Sequence, residues 1–527
     1  MEAMKDVDNN MKMSVLMFSK YKCIDEIKFK NNSSKEENYI VFTNEILDKN
    51  QDNYSFKNIS NNILHLSLPT IIFFLLLFLQ QTVCLSLLGK FGSSNSVDAY
   101  GLLTSFLTCT ISCINTGIIS GLDTLLPLSF SNKKNSLFIN YVNSARLITL
   151  INTCVFGLFH LISYKFILLF LGATDLMLIE IKKIIFLLII SYIFESQFSI
   201  NFTILIIYGK LNKVIFLLII GFTIHFLTSY ILIVHYELEI LGSGISTLIT
   251  QIYNTLFTSI LIKYGENSFI QNTSQLLIIN FNKDCILSSF DYFKFVYPNI
   301  LLLAFEWVAF EVQSIFALKL GGNEYTSHVI LSNFAHLTNT ISSGFSMATA
   351  IIVSEKVSLL QIKTSKFVSI YSFIISQGLM SIIVVFIILF KESLFSLFTE
   401  VKELQSIGSQ CIFLFSFFSI LDTTQSVMTG TLRGYGKQKW ASLIAFFQYY
   451  IIQIIFSYLL AFYFRYGIYG IWLSICFGAL STTILYFMYF WNLDYEEIKV
   501  ETMKRIESEK GLVNSEPEDN KAEMIDI

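Results

Sequence analysis

Residues 298–320 read PNILLLAFEWVAFEVQSIFALKL, an apolar stretch long enough to cross a bilayer as a helix, which takes about 20 residues. Two carboxylates, Glu306 and Glu311, lie near its middle. An ionised side chain at the bilayer centre costs about 2.5–3.5 kcal/mol on insertion scales. We therefore expect these acids to face the interior of a helix bundle or a water-filled cavity.

The composition extends this interpretation to the whole chain. Hydrophobic residues make up 54% of the 527 residues, charged residues only 14%, and the mean hydropathy is +0.60. Soluble domains carry about 25% charged residues. The sequence therefore predicts a polytopic protein surrounded by membrane lipids. A net charge of −3 without a long basic tract argues against a nucleic-acid partner.

Cysteines and catalytic motifs give no sign of an enzyme. The eight cysteines are scattered, and none forms a CxxC pair or a cluster with histidine. Cys109 and Cys113 share a helix face inside an apolar run, where packing is the simplest role. With neither a glycine-rich phosphate loop nor a nucleophile paired with a base, we predict no cofactor, no metal site and no enzymatic activity.

Apolar runs separated by polar breaks divide the chain into about twelve predicted spans. They cover residues 62–88, 98–130, 137–162, 178–208, 212–235, 241–263, 288–319, 326–355, 364–390, 405–432, 438–464 and 468–491. The longest polar connection, Gly265–Asp284, has six spans before it and six after it. The predicted fold is an all-α polytopic membrane protein with about twelve transmembrane helices.

The two sets of six spans show an internal repeat. Pro69–Gly92 and Pro298–Gly321 each run from proline to glycine over the same length, with the second stretch shifted by 229 in residue number (298 − 69). Tyr208–Lys210 and Tyr435–Lys437 both read YGK, at a shift of 227 (435 − 208). Several matches at nearly one offset, each at the end of a span, predict two pseudo-symmetric six-helix lobes.

The repeat also pairs two membrane acids and sets the domain boundaries. At the offset of the YGK match, Glu195 in the fourth span falls on Asp422 in the tenth. The predicted parts are a cytosolic tail (1–60), an amino-terminal lobe (61–264), a cytosolic loop (265–287), a carboxy-terminal lobe (288–491) and a charged cytosolic tail (492–527).

Positive charges indicate how the spans are oriented. Most lysines and arginines outside the tails follow even-numbered spans, as at Lys133 and Arg433, although Lys182 opposes the trend. Because positively charged loops stay in the cytosol, we expect both termini there. The acceptor sequences at Asn32 and Asn272 should then carry no glycan.

Polar residues inside the spans suggest a cavity lined by acids. In the tenth span a polar seam with helical spacing runs to the cytosolic end through Asp422, Gln425, Thr429 and Arg433. A carboxyl group buried beside another acid can bind and release a proton near neutral pH. The same group attracts a cation when ionised, and an aromatic neighbour such as Trp307 adds to that attraction. Competition between a proton and an organic cation is the minimal chemistry of an antiporter.

A purely structural role is the alternative for each polar residue. Interhelical hydrogen bonds or ion pairs can explain a single buried acid. Snorkelling to the interface can explain Arg433, and His225 and His336 fit satisfied core groups better than proton relays. Gln80 and Gln81 fit cavity lining and bonding across helices equally well.

Asp422–Trp440 reads DTTQSVMTGTLRGYGKQKW and resembles the tenth span and following loop of the multidrug and toxic compound extrusion (MATE) family. That family typically shows an acid, a run of small residues and then L-R-G-x-G-x-Q. EWVAFEV at Glu306–Val312 is similar to the seventh span of its eukaryotic members. GLDTLLPLSF at Gly121–Phe130 resembles the family's L-D-T-L segment, and Pro69–Gly92 with Gln81 resembles its first span.

The resemblance covers roughly residues 60–495 and implies two lobes around a central cleft. It implies export of organic cations or amphipathic xenobiotics by alternating access, in exchange for H⁺ or Na⁺; we favour H⁺, and we expect a monomer. The predicted proton-coupling or substrate-binding residues are Glu306, Glu311, Asp422, Trp307, Gln81 and Asp123, to which the repeat adds Glu195. Residues that could line the cavity are Gln313, Gln425, Thr429, Tyr449 and Tyr450.

The chain departs from the family pattern at predicted cytosolic helix ends. Gly121–Phe130 ends in PLSF without the usual glycine, Ile351–Ser358 is not glycine-rich, and Ser342 replaces a proline. Two other functions stay open: a flippase of lipid-linked saccharide or another amphiphile, whose cavity should be more basic, and a non-transporting scaffold. The expected location is the plasma membrane or the membrane of an acidic intracellular compartment.

Overall fold

Each predicted apolar run forms one long helix, because a chain in lipid must pair its own backbone groups. The computed structural model describes residues 56–170, 173–264, 273–279, 283–396 and 402–513, and these contain no strand. The long helices are α1 Phe56–Phe91, α2 Ser94–Ser131, α3 Asn135–Phe170, α4 Asp175–Ile207, α5 Leu211–His235, α6 Glu239–Tyr264, α7 Lys283–Leu320, α8 Gly322–Ser358, α9 Ile362–Leu389, α10 Lys402–Gly434, α11 Gln438–Tyr463, α12 Gly467–Trp491 and α13 Tyr495–Val513. Two short elements are a 3₁₀ turn, Thr273–Leu276, and a helix, Lys391–Ser396.

The predicted all-α fold is confirmed, with α1–α12 in the order of the predicted spans. Ten of these helices are long and apolar enough to cross a membrane by length and composition alone. The other two, α4 and α8, have 33 and 37 residues, which is also long enough. α7 begins at Lys283, inside the predicted loop, because its polar first turns can continue the helix outside lipid.

Several helices contain π-helical turns. They occur in α2 at Thr108–Ser112, in α5 at Ile231–His235, and in α11 at Phe447–Ile454 and Leu459–Tyr463. A π turn adds one residue to the helical repeat and so rotates the side chains that follow it. The longest π segment contains the predicted pair Tyr449 and Tyr450, whose directions therefore could not follow from α-helical spacing.

Short connections make consecutive helices antiparallel, so the bundle has two sides. We call the side on which α1 begins and α12 ends the tail side. The short loops 132–134, 208–210, 359–361 and 435–437 lie there. Residues on α2, α4, α8 and α10 therefore approach the tail side as their numbers rise.

The halves α1–α6 and α7–α12 pack through an interface that follows the repeat. Gly117 on α2 lies against the backbone of Ile300 on α7, and Gly344 on α8 lies against the backbone of Ile71 on α1. Gly117 and Gly344 are related by the same offset as the two YGK sequences, and Ile71 and Ile300 by the same offset as Pro69 and Pro298. The hydroxyl of Thr70 also donates to the carbonyl of Gly344 at 2.8 Å. Pseudo-symmetry thus holds at the level of individual contacts.

A buried arginine attaches the connection between the halves to the amino-terminal half. Arg146 on α3 is 3% exposed and donates to the carbonyl of Leu276 at 2.8 Å. Its other nitrogens donate to Gln197 and Asn201 on α4. Leu276 is fully buried. The 3₁₀ turn that contains it is therefore part of the bundle core.

The first part of the predicted charged tail forms a helix, α13, which packs against the bundle. Ile498 on α13 is fully buried, and the Tyr495 ring packs on Tyr435 with centroids 5.9 Å apart. Lys437, in the α10–α11 loop, forms ion pairs with Glu497 and Glu501 at 3.1 and 3.0 Å. The tail segments 1–55 and 514–527, which include Cys23 and Asn32, lie outside the described residues, and so does Asn272 between the halves. The seven cysteines of the described residues are free thiols.

Candidate functional site

Two of the predicted acids meet inside the carboxy-terminal half. Glu306 on α7 and Asp422 on α10 lie close enough for their charges to interact. Asp422 is buried, with 6% of its surface exposed. Glu306 is surrounded by protein yet keeps part of its surface accessible. An acid in that situation borders an internal space that water or a small ligand can enter.

An asparagine that the sequence analysis missed orients Asp422. The side-chain amide of Asn339 on α8 donates to Asp422 Oδ2 at 3.3 Å. Ser343, one turn later, donates to Asn339 Oδ1 at 3.0 Å and so sets the direction of the amide. The signal in the sequence was a pair of polar residues at i, i+4 in α8, a spacing that also occurs by chance.

Aromatic side chains complete the surroundings of these acids. Tyr449 on α11 lies within electrostatic range of both Glu306 and Asp422, and it is 6% exposed. Tyr486 on α12 lies within range of Glu306. Tyr450 packs edge to face on the Phe305 ring, with centroids 5.4 Å apart. The two adjacent tyrosines of α11 therefore occupy different environments.

Three residues predicted as possible cavity lining form bonds between helices of the carboxy-terminal half. Gln425 donates to the carbonyl of Ala479 at 2.8 Å, and Gln313 donates to the Ser457 hydroxyl at 3.2 Å. The Thr429 hydroxyl lies 3.4 Å from a tyrosine hydroxyl on α12. These side chains connect α7 and α10 to α11 and α12.

The amino-terminal half contributes thiols opposite the acids of α7. Cys113 on α2 lies within electrostatic range of Glu306, and Cys109 lies within range of Glu311. The two cysteines are one turn apart, as the acids are roughly one turn apart. The packing role expected from the sequence fits Cys113, which is fully buried, and each thiol also lies within electrostatic range of an acid of the other half. Trp307, between the acids in sequence, is partly exposed.

Glu195 lies on α4, in the amino-terminal half. It is surrounded by protein but partly accessible, and its charge interacts with Tyr192 one turn before it on α4. Tyr192 also lies within range of Cys109, the thiol that faces Glu311. Glu195 thus lies on the same side of α4 as a tyrosine that is within electrostatic range of Cys109.

The two glutamines of α1 differ. Gln80 is buried, and His225 Nε2 bonds its carbonyl at 2.9 Å while His225 Nδ1 lies 3.1 Å from the Thr250 hydroxyl. The interpretation of His225 as a satisfied core group is confirmed by these bonds. Gln81 is exposed. His336 is surrounded by protein yet keeps an accessible surface, so it borders an internal space instead of filling the core.

Asp123 lies apart from the other acids, in a link between the halves near the tail side. Its carboxylate pairs with Arg433 of α10 at 3.4 Å, and the side chains are 5% and 12% exposed. Thr124 donates to the carbonyl of Arg433 at 2.9 Å, and Ser354 donates to the carbonyl of Thr124. The snorkelling interpretation of Arg433 was wrong, because its side chain is largely buried and pairs with an acid of α2 instead of reaching the membrane interface.

The inter-half links lie closer to the tail side than the acids do. Ile300 precedes Glu306 by six positions, about 9 Å along α7. Arg433 follows Asp422 by eleven positions, about 16 Å along α10. The acids thus sit in the bundle with a bonded layer between them and the tail side. Such a site can hold a proton or a cation while that layer separates it from the tail-side solvent.

A protein-family model described as MatE matches the chain twice, at residues 69–231 and 298–459, together more than half of its length. The matched stretches begin at the two prolines that first indicated the repeat. Among curated proteins, multidrug and toxin extrusion protein 1 of Mus musculus is 23% identical over 426 residues, 80% of this chain and 72% of that protein. Multidrug and toxin extrusion protein 2 of Homo sapiens is 22% identical over 54% of this chain and 46% of that protein.

Solved structures show the same fold. The structure described as the eukaryotic MATE transporter AtDTX14 superposes with a TM-score of 0.77 over 86% of this chain and 99% of that one, at 16% identity. A multidrug resistance MATE family transporter in an outward-facing conformation superposes with a TM-score of 0.74 over 85% and 97%, also at 16% identity.

Proposed function

This chain belongs to the MatE family, and from that premise we propose that it exports small organic cations or amphipathic xenobiotics in exchange for protons. The extrusion function in the names of the mouse and human relatives supports the direction of transport. The observation that carries the coupling mechanism is the cluster of Glu306, Asp422 and Tyr449 inside the membrane-spanning bundle. Two acids and an aromatic ring suit a cation, and either acid can bind a proton instead.

In this proposal Asn339 keeps Asp422 ready for cargo, since an N–H donor stabilises a carboxylate better than a carboxylic acid. Proton binding at the cluster removes negative charge and so weakens the hold on a cation. Glu311 and Glu195 then act as further cation contacts on the two walls of the cleft, with Trp307 and Gln81 as contacts beside them. The proton leaves toward the opposite side once the halves have rearranged.

The link between Asp123 and Arg433 serves in this cycle as part of the tail-side closure. It must separate when the site opens toward the tail side. We propose that this side is cytosolic, with both termini there, since the positively charged loops lie on it. The protein would act as a monomer of two lobes, 61–264 and 288–491, in the plasma membrane or the membrane of an acidic compartment.

The test is proton-driven exchange in vesicles. Purified protein is reconstituted, a fluorescent organic cation such as ethidium is loaded, and an inward or outward pH gradient is imposed. Wild-type protein should move the cation in the direction opposite to proton flow. Glu306→Gln and Asp422→Asn should each lower the initial rate by roughly 100-fold, the scale on which a proton-transfer group contributes.

The control is Glu355→Gln, which removes a carboxylate paired with Lys356 at the end of α8, away from the cluster. Its rate should stay within about twofold of wild type, as a surface ion pair contributes little. A sodium gradient in place of the pH gradient should drive no exchange. Unchanged exchange in both Glu306→Gln and Asp422→Asn would refute the coupling assignment, and exchange driven only by sodium would replace the proton with Na⁺.

A further inference from the structure

A groove between α9, α10 and α12 is separate from the acidic cluster. It has a volume of about 190 Å³ and is lined only by apolar side chains. Six of them define it: Ile370, Phe373, Met428, Phe487, Phe490 and Trp491. Met428 and Phe490 form its floor and are 3% and 1% exposed, whereas Trp491 at its edge is 64% exposed. The groove is therefore open on one face.

The open face adjoins lipid. All three helices belong to the membrane-spanning set, and the lining residues of α12 occupy its last two turns before the tail side. An apolar groove at this depth, on the outside of a bundle, is in contact with acyl chains. Its apolar lining suits an acyl chain, which would gain van der Waals contacts with the side chains there.

Two lysines lie directly on the tail side of this groove. Lys363 and Lys366 are exposed in the first turns of α9. They precede Ile370 by seven and four positions, so they share its helix face. Lys366 Nζ lies 5.4 Å from the centroid of the Tyr495 ring on α13. The groove thus combines an apolar slot with two positive charges at the membrane surface.

We propose that this groove binds an anionic phospholipid, with one acyl chain in the apolar slot and its phosphate on Lys363 and Lys366. Charge decides the class of lipid, because a pair of lysines at the membrane surface favours a headgroup with net negative charge over a zwitterionic one. The exposed edge of Trp491 lies at the tail-side end of the groove, where an amphipathic aromatic side chain is favoured.

The site would connect lipid composition to the transport helix. Met428 follows Asp422 by six positions and precedes Arg433 by five, so the floor of the groove belongs to the helix that carries both. A lipid in the slot therefore contacts α10 between the acidic cluster and the tail-side link. Binding does not depend on the proposed transport activity, and it can be tested without it.

The position of Trp491 allows a direct binding test. The full-length protein is reconstituted in phosphatidylcholine vesicles that contain increasing amounts of dibrominated phosphatidylglycerol or dibrominated phosphatidylcholine. Bromine quenches a tryptophan that it touches, and subtracting the signal of Trp491→Phe isolates this residue from the other three tryptophans. We expect half-maximal quenching of Trp491 at a roughly tenfold lower mole fraction of the anionic lipid.

Matched variants separate a site from general surface charge. Lys363→Gln with Lys366→Gln should bring the two quenching curves together. Lys210→Gln with Lys213→Gln removes two positive charges elsewhere on the tail side, before and in the first turn of α5, and should leave the tenfold preference intact. Equal quenching of the wild type by both lipids would overturn the proposal, as would an equal loss of preference in both double variants. Protection of Trp491 from both lipids would mean that a second copy of the chain covers the groove, and would also overturn it.

Discussion

The two halves of this molecule share a scaffold but differ in their chemistry. Two contacts between the halves are equivalent: a glycine of each half packs on an isoleucine of the other. They are Gly117 on Ile300 and Gly344 on Ile71. The family model also matches once in each half. Backbone packing has therefore kept its two-fold symmetry at the interface between the halves.

The membrane acids have not kept that symmetry. Glu306 in the carboxy-terminal half corresponds to Leu77 at the offset of the first helices, so the amino-terminal half has no acid there. Glu195 corresponds to Asp422, but only Asp422 has a second acid within range and an asparagine donor in the structure described. A bundle with a symmetric scaffold can therefore carry its paired acids in one half only, while the other half forms the opposite wall.

The largest difference between the halves is expected when each of the two repeat-equivalent acids is replaced in turn. Asp422→Asn should lower proton-driven exchange by roughly 100-fold, because it removes a proton-binding group from the paired cluster. Glu195→Gln should lower the rate by no more than about threefold and act mainly on the KM for the cation, because it removes one distant cation contact. Initial rates over a range of cation concentrations in vesicles separate the two effects.

The relative size of the two losses in rate assigns the coupling site to one half or to both. If Glu195→Gln abolished exchange while Asp422→Asn preserved it, the coupling site would belong to the amino-terminal half. Equal losses in both variants would show that the halves share the coupling. Both variants keep side-chain size and are expected to fold, which solubilised yield and thermal unfolding would check.

Sequence alone predicted the helices and the repeat because both depend on local patterns. Apolar runs fix where helices lie in a membrane, and glycine and proline mark their ends. Glu306 and Asp422 were found for a similar reason: a charge inside an apolar run is visible without coordinates. Their mutual proximity was not visible, since it depends on how α7 packs against α10.

Residues without a charge, or at helix ends, were harder to interpret. Asn339 is one of many polar residues in α8, and only the coordinates place its amide on Asp422. Arg433 looked like an interfacial arginine because its partner, Asp123, is 310 residues away in sequence. The π-helical turn of α11 similarly rotates Tyr449 relative to an ideal helix. In each case the missing information was tertiary packing.

The repeat does not duplicate every link between the halves. The position equivalent to Asp123 is Ala350, so the ion pair with Arg433 exists on one side of the pseudo-symmetry axis. Asp123→Asn and Arg433→Gln should each lower the thermal unfolding midpoint. Because removing one member leaves the other buried and unpaired, the double variant should be less destabilised than the sum, with a coupling energy of about 1–3 kcal/mol.

The matched control for this cycle is the exposed pair of Lys294 and Asp291 on α7, at 2.9 Å. Replacing both with glutamine should reveal a coupling energy of about 0.5 kcal/mol or less, as expected for a solvent-screened pair. Additive effects of Asp123→Asn and Arg433→Gln would contradict the link between the halves.

The smallest difference is expected where the symmetry is best preserved. A Cβ on Gly117 would lie 2.6 Å from Ile300 Cα, and one on Gly344 would lie 2.7 Å from Ile71 Cα. Because backbone cannot yield as a side-chain tip can, each helix pair must separate to admit the methyl group. Gly117→Ala and Gly344→Ala should each lower the free energy of unfolding by about 1–3 kcal/mol, as overpacking does.

Equality is the informative result of that last experiment. If the scaffold is symmetric, the two glycine variants should agree within about 0.5 kcal/mol in chemical or thermal unfolding, the usual limit for independent sites. Gly101→Ala and Gly378→Ala, whose added methyl groups would meet nothing within 4 Å, should instead be neutral or stabilising by up to about 1 kcal/mol, from helix propensity. Clearly unequal costs at Gly117 and Gly344 would mean that the interface, like the acids, has become asymmetric, and that one helix pair bears more of the tail-side closure than the other.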